Sequence, residues 1–113
     1  MLIIDKFINN KDLTEIAKVI FGDMVKGVVD IEKEIIAIDA ELHSDLEAFL
    51  LEKNSKQENL WGINLYPEIE GDDFLEFDSM INIRPSQNNR SRNVDNEEIR
   101  KKITEIVKKR IAR

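Results

Sequence analysis

Apolar residues recur at two different periods along this chain, and the change of period divides it. Near the start, Leu13, Ile16, Ala17 and Ile20 fall at i, i+3, i+4 and i+7, the single stripe of an amphipathic helix. Asn9 or Asn10 is placed to cap its first turn, and Gly22 stands where a left-handed C-terminal cap belongs. At the far end, Ile99, Ile103, Ile106, Val107 and Ile111 form a second stripe. Asp95 and Glu98 have the spacing of a capping box, with Val94 placed to staple against Ile99. Lys108, Lys109 and Arg110 occupy the closing turns, where cations favour the helix dipole.

Between these helices the period is two. Val25, Val29 and Ile31, then residues 35–38, read as β-branched strands broken by a turn at Glu32-Lys33. Trp61, Ile63 and Leu65 alternate with Gly62, Asn64 and Tyr66 until Pro67, which places Trp61 in the core and Tyr66 on the other face. Leu75, Phe77, Ser79, Ile81 and Ile83 alternate with Glu76, Asp78, Met80, Asn82 and Arg84 until Pro85. The acidic, Gly71-containing loop 68–73 suits a hairpin connection between them.

Residues 41–52 fit both templates. Leu42, Leu46, Phe49 and Leu50 share one face of a helix, and the Leu, Ala and Glu content favours that state. Leu42, Ser44, Leu46, Ala48 and Leu50 equally share one face of a strand. The strand-like neighbours and the turn-forming run Lys53-Asn54-Ser55-Lys56 favour the strand. The expected fold is therefore α+β: one domain over residues 1–113, an antiparallel β-meander of about four to five strands with an N-terminal helix and a C-terminal amphipathic helix.

Composition narrows the chemistry. Hydrophobic residues make up 42% and charged residues 35%, as in a globular domain with a solvated surface. Cysteine is absent, which excludes disulfides, zinc–thiolate sites and thiol nucleophiles. The start, Met1-Leu2-Ile3-Ile4-Asp5-Lys6, lacks the basic segment and apolar core of a signal peptide. No apolar run approaches the ~20 residues that span a bilayer. A soluble cytoplasmic protein is expected, with no membrane partner.

Charge is unevenly distributed. Residues 1–81 hold 7 Lys/Arg and 19 Asp/Glu, whereas residues 82–113 hold 10 and 4. The basic third opens with a loop, Ser86-Gln87-Asn88-Asn89-Arg90-Ser91-Arg92. Such polarity points to an anionic small molecule or acidic protein as partner, or to head-to-tail pairing of two copies as a homodimer. Only 6% of residues are aromatic and the net charge is −6, which disfavours nucleic acid.

Several peptides together resemble a family of small prokaryotic proteins known only as a domain of unknown function. They are Val28-Val29-Asp30-Ile31-Glu32, Glu41-Leu42-His43, Gln57-Glu58-Asn59-Leu60-Trp61-Gly62, Phe77-Asp78-Ser79-Met80-Ile81-Asn82-Ile83-Arg84-Pro85 and Asn89-Arg90-Ser91-Arg92. The resemblance spans nearly the whole chain and implies no activity, cofactor or catalytic residue. Sequences of this kind often carry glycine where this chain has Asp39-Ala40, Asn54, Asn88 and Asn93; asparagine tolerates left-handed backbone, Asp39-Ala40 less readily. Glycine turns there favour hairpins through residues 41–66.

Two clusters are candidates for chemistry. Arg84, Asn89, Arg90 and Arg92, in a loop leading into a helix, have the donors to hold a phosphate or carboxylate. The loop lacks the glycine pattern of a phosphate-binding P-loop, and its arginines could equally pair with Glu76 or Asp78 on the preceding strand. The second cluster is the polar sheet face, where Glu76, Asp78, Asn82 and Arg84 share a side with Asn64 and with His43 and Asp45 from another strand. There His43, Asp45 and Asp78 are the candidates for acid–base work, with Arg84 stabilising developing negative charge. The single histidine excludes a zinc site of two or three histidines; an all-carboxylate Mg²⁺ site stays open. Trp61 reads as core, and loop 68–73 lacks the ordered ligands of a calcium loop. Three readings follow: an anion-binding module, a small hydrolase of phosphorylated substrates, and a self-associating interaction protein.

Overall fold

The computed structural model describes all 113 residues. In chain order the elements are β1 (Leu2–Ile4), β2 (Ile8–Asn9), α1 (Asn10–Ile20), β3 (Val25–Asp30), β4 (Ile35–Ile38), α2 (His43–Glu52), β5 (Leu60–Leu65), β6 (Leu75–Glu76), α3 (Glu97–Arg110) and β7 (Ile111–Ala112). The fold is α+β, with the expected terminal helices and a five-stranded sheet in the order β1-β4-β3-β5-β6, antiparallel throughout. The order departs from strict succession because β1 adds beside β4 and α2 fills the connection from β4 to β5. A short parallel pair, β2 with β7, joins the two ends of the chain.

Alternation along the strands gives the sheet two buried faces. Val25, Val29, Ile36, Ile38, Trp61, Ile63 and Leu65 pack against Leu13 and Ala17 of α1 and Ile103, Ile106 and Val107 of α3. On the opposite face Val28, Ala37 and Leu60 pack against Leu46 and Leu50 of α2. Three layers result, and both faces of β3 and β5 are withdrawn from water. No helix is long and apolar enough to cross a membrane.

The caps of α1 follow the sequence. Asn9 Oδ1 accepts from the Asp12 N–H at 2.8 Å, and Gly22, at φ +93°, donates its N–H to the Ala17 carbonyl at 2.7 Å. The cap of α3 lies one residue later than expected: Asn96 Oδ1 accepts from the Ile99 N–H at 3.0 Å. Asp95 is used by the preceding loop instead, accepting from the Ser91 hydroxyl at 2.5 Å and the Arg90 N–H at 3.1 Å. The Ser91 bond is the main cause holding the Asp95 carboxyl below its ordinary range. Part of the basic charge of α3 is spent internally, since Lys102 and Lys109 reach Glu34 at 3.3 and 3.2 Å.

Two expectations are corrected. Of residues 41–52, His43–Glu52 form a helix, not a strand, with Leu42 extended at its N-cap. Asn54, at φ +72°, ends that helix in the left-handed conformation, with Ser55 N–H returning to the Leu50 carbonyl at 3.0 Å and Asn54 N–H to Leu51 at 3.2 Å. The run 53–56 is therefore a helix terminus rather than a hairpin turn. Asp39 and Asn88 also have positive φ, +73° and +59°, the left-handed conformation that glycine adopts most readily.

The alternating run 75–84 pairs as a strand only at Leu75 and Glu76, opposite Leu65 and Asn64. Beyond them the backbone coils through short 3₁₀ turns at Met80–Asn82 and Pro85–Gln87. Side chains then take over the work of the ladder. Asn82 bonds both backbone groups of Gly62, and the Arg84 guanidinium donates to the carbonyls of Gln57 and Leu60. Gly62 permits this approach, because a Cβ there would lie 2.5 Å from Ser79 Cβ. The free edge of β5 is thereby closed against pairing with another strand.

Candidate functional site

Register across three strands builds the floor of a cleft. Lys26 on β3 stands opposite Asn64 on β5, and Asn64 stands opposite Glu76 on β6. With strands about 4.8 Å apart, the row runs from a cation through an amide to a carboxylate over about 10 Å. It lies on the α2 face of the sheet, towards the open edge where α2 begins. The first turn of α2, the segment 78–81 and Arg92 complete the walls of a cleft of about 380 Å³.

His43 opens α2 and is 8% exposed. Its Nε2 lies 2.8 Å from the Ile63 carbonyl. A carbonyl can only accept, so Nε2 carries the proton and the neutral ring keeps its lone pair on Nδ1. Burial is the main cause holding the imidazole below its ordinary value of 6.5. The Ile63 bond opposes that shift, Lys26 adds to it, and Asp78 and Asn64 oppose it.

The carboxylates are positioned by their neighbours. Glu76 Oε1 accepts from Asn64 Nδ2 at 2.8 Å and from the Tyr66 hydroxyl at 3.0 Å. Burial first, then that carboxylate, raises the Tyr66 phenol above its usual range. Asn64 Nδ2 also donates to the Asp78 carbonyl at 3.1 Å, which fixes the amide's orientation, and Oδ1 has no partner in the protein. Arg92 Nε donates to Asp78 Oδ1 at 2.6 Å. Both side chains are part-exposed, so the pair stabilises the fold by at most about 1 kcal/mol, but it holds Arg92 over the cleft. The Lys26 ammonium rests 5.2 Å from the centroid of the Phe21 ring at the opposite side.

The sequence candidates divide accordingly. His43, Asp78 and Arg92 meet in the cleft, together with Asn64 and Glu76. His43 arrives from a helix rather than a strand. Asp45 is exposed and lies outside the cleft, because two helical residues turn it roughly 200° away from His43. Arg84 is buried with its guanidinium 4.1 Å from the Trp61 ring centroid and its donors on backbone carbonyls; burial lowers its pKa. Asn89 is buried too, donating to the carbonyls of Asn82, Ser91 and Asn93 and accepting from the Asp95 N–H at 2.7 Å. Arg90 is exposed on the loop, away from the cleft. No three His, Cys, Asp or Glu side chains are grouped closely enough to hold a metal ion.

Lys26 and Ser44 were not anticipated as cleft residues. Lys26 carried a usable signal, being the sole cation in an otherwise apolar strand up to Asp30. Ser44 carried none, since its place depends on where α2 starts.

The peptides that suggested a family are mostly structural: Gly62, Asn82, Arg84 and Asn89 close the edge of β5 and tie down the basic loop. No curated protein and no solved structure shows significant similarity to the chain. A family described as "Protein of unknown function (DUF5674)" matches it over residues 2–110, nearly its whole length, and the chain belongs to that family.

Proposed function

We propose that this protein binds a small polar ligand through an anionic group, and that the cleft over Lys26, Asn64 and Glu76 is the binding site. The observation that carries this reading is the convergence of Lys26, Arg92 and the first turn of α2 on one cleft. That turn begins at Leu42, whose side chain cannot cap it, so the leading N–H groups of α2 gain no side-chain acceptor. Asn64, 94% withdrawn from solvent with an unpartnered oxygen, supports the same place for a ligand. A cleft of about 380 Å³ matches a metabolite rather than a polymer. Of the basic-loop residues, Arg92 serves this site, whereas Arg84 and Asn89 hold the loop that carries it.

The test is a ¹⁵N-HSQC titration with inorganic phosphate, nucleotides, carboxylates and free amino acids at low and moderate salt. Saturable shifts at Lys26, Ser44 and Arg92, weakened at least tenfold by Arg92→Gln, are expected. Silence at these amides towards every probe overturns the reading.

A second reading, general acid–base catalysis on a phosphorylated substrate, has one observation in its favour. His43 is held neutral near Asp78, the protonation state a base requires. Equal inactivity of the wild type and Asp78→Asn across phosphatase and phosphodiesterase substrates removes it.

A further inference from the structure

The cleft is polarised across its width. On the Glu76 side, hydrogen-bond acceptors outnumber donors. Glu76 uses only Oε1 for Asn64 and Tyr66, and Asp78 uses only Oδ1 for Arg92, which leaves Oε2 and Oδ2 free. Asn64, 6% exposed, turns its amide nitrogen towards them, donating to Glu76 Oε1 and the Asp78 carbonyl, and its oxygen has no partner. His43 adds an imidazole whose bonded nitrogen is already committed to Ile63. On the other side stand Lys26, Ser44 and the opening turn of α2, a ten-residue helix whose N-terminal dipole adds positive potential.

Two carboxylates facing one arginine leave the acceptor side net negative. A neutral donor would satisfy its hydrogen bonds but not its charge. A primary ammonium supplies both, with three N–H donors and a positive charge. A nucleotide polyphosphate fits poorly, since its charges would be brought beside Glu76 and Asp78 at short range. The exposed Leu42 and Met80 at the mouth offer apolar surface to the remainder of a small organic molecule.

Resting on the reading of this cleft as an anion-binding site, we infer that its ligand is an amino-acid-type zwitterion. Glu76, oriented by Asn64, and Asp78 hold the ammonium, and Lys26, Ser44 and the first turn of α2 hold the carboxylate. Arg92, paired to Asp78, flanks both groups. The row Lys26–Asn64–Glu76 gives the site its direction: one end of the ligand is read as cation, the other as anion.

The experiment is a ¹⁵N-HSQC titration of the full chain with free amino acids, each beside its N-acetyl and its carboxamide form. The free zwitterion is expected to shift Lys26, Ser44, Asn64 and Glu76 saturably, and either modification to weaken binding at least tenfold. Glu76→Gln is expected to weaken the zwitterion about tenfold and to remove most of its advantage over the N-acetyl form, whose net negative charge no longer meets a carboxylate there. The modified ligands are compared on the wild type, so the test stands even if that variant misfolds. If the N-acetyl form binds as tightly as the zwitterion, or phosphate shifts these amides and amino acids do not, the zwitterion assignment falls and the anion site remains. If every probe is silent, both fall.

Discussion

Asn82 grips the peptide of Gly62 from both sides: Nδ2 donates to the Gly62 carbonyl at 3.0 Å and Oδ1 accepts from the Gly62 N–H at 2.8 Å. A side-chain amide thus reproduces one rung of a β-ladder after β6 has ended. The same Nδ2 donates to the Arg92 carbonyl at 3.0 Å, so the residue that closes the sheet edge also anchors an arginine of the cleft.

Asn82→Ala removes all of these bonds at a fully buried position and leaves the Gly62 groups unpaired. The expected loss is about 2–4 kcal/mol, read from urea unfolding. Asn82→Asp is expected to be no better, because a carboxylate would face two carbonyl oxygens.

Gly62→Ala places a methyl 2.5 Å from Ser79 Cβ and 2.6 Å from its hydroxyl. Overpacking of this kind costs about 1–3 kcal/mol. The double variant Gly62→Ala, Ser79→Gly is expected to recover part of that loss in a double-mutant cycle, since the clash is with Ser79 in particular.

Arg84 lies on the Trp61 ring while its guanidinium holds the Gln57 and Leu60 carbonyls. Lysine offers neither the planar stack nor the fork. Arg84→Lys is expected to lose about 2 kcal/mol and to shift the Trp61 emission, with the cleft ligand still bound by whatever fraction is folded. Loss of binding by the folded fraction would instead place Arg84 in the site.

Stability is expected to decline as pH falls below about 6.5, before the carboxylates titrate. The folded protein holds His43 below its unfolded value. Between the two values the unfolded chain binds more protons, so the stabilisation is complete above the unfolded value and is lost as pH falls towards the folded one. Glu34 and Asp95, both lowered, act in the same direction at more acidic pH, by the same sign. His43→Gln, whose amide can still donate to the Ile63 carbonyl, is expected to abolish the first decline and keep the second. Imidazole shifts by NMR and unfolding curves from pH 4 to 8 decide it.

The terminal helices and the strands β3, β4 and β5 were legible as elements because one period dominates each, whereas the pairing of β3 with β5 was not, since a meander would have put residues 41–52 between β4 and β5. Leu13, Ala17, Ile103 and Val107 had no competing template, and Trp61, Ile63 and Leu65 alternate without interruption. The α2 segment was misread for a geometrical reason. Leu42, Leu46 and Leu50 are four residues apart, a spacing that is even, as a strand requires, and close to one helical turn. Its left-handed terminator Asn54 resembles a hairpin residue for the same local reason. The run 75–84 misled because Asn82 and Arg84 lie on the correct side for a strand but bond through their side chains. His43 was expected beside Glu76 and Asp78 from a neighbouring strand; it lines the same cleft from the first turn of α2 instead. The place of Lys26 in the row was not anticipated, because it depends on register between β3 and β5, which sequence periodicity does not specify.

The parallel pair of β2 with β7 consists of two rungs, Ile8 with Ile111 and Asn9 with Ala112, reinforced by Arg110 Nη1 donating to the Lys6 carbonyl at 2.9 Å. It is a latch between positions that are far apart in sequence but adjacent in space. Loop-closure entropy grows only logarithmically with separation, so so small a contact is enough to hold the ends together. Its release leaves every rung of the five-stranded sheet in place but withdraws Ile111, 3% exposed, from the core. Amide hydrogens of β2, β7 and the final turn of α3 would then exchange with solvent together, through one shared local opening, well before those of β3 and β5.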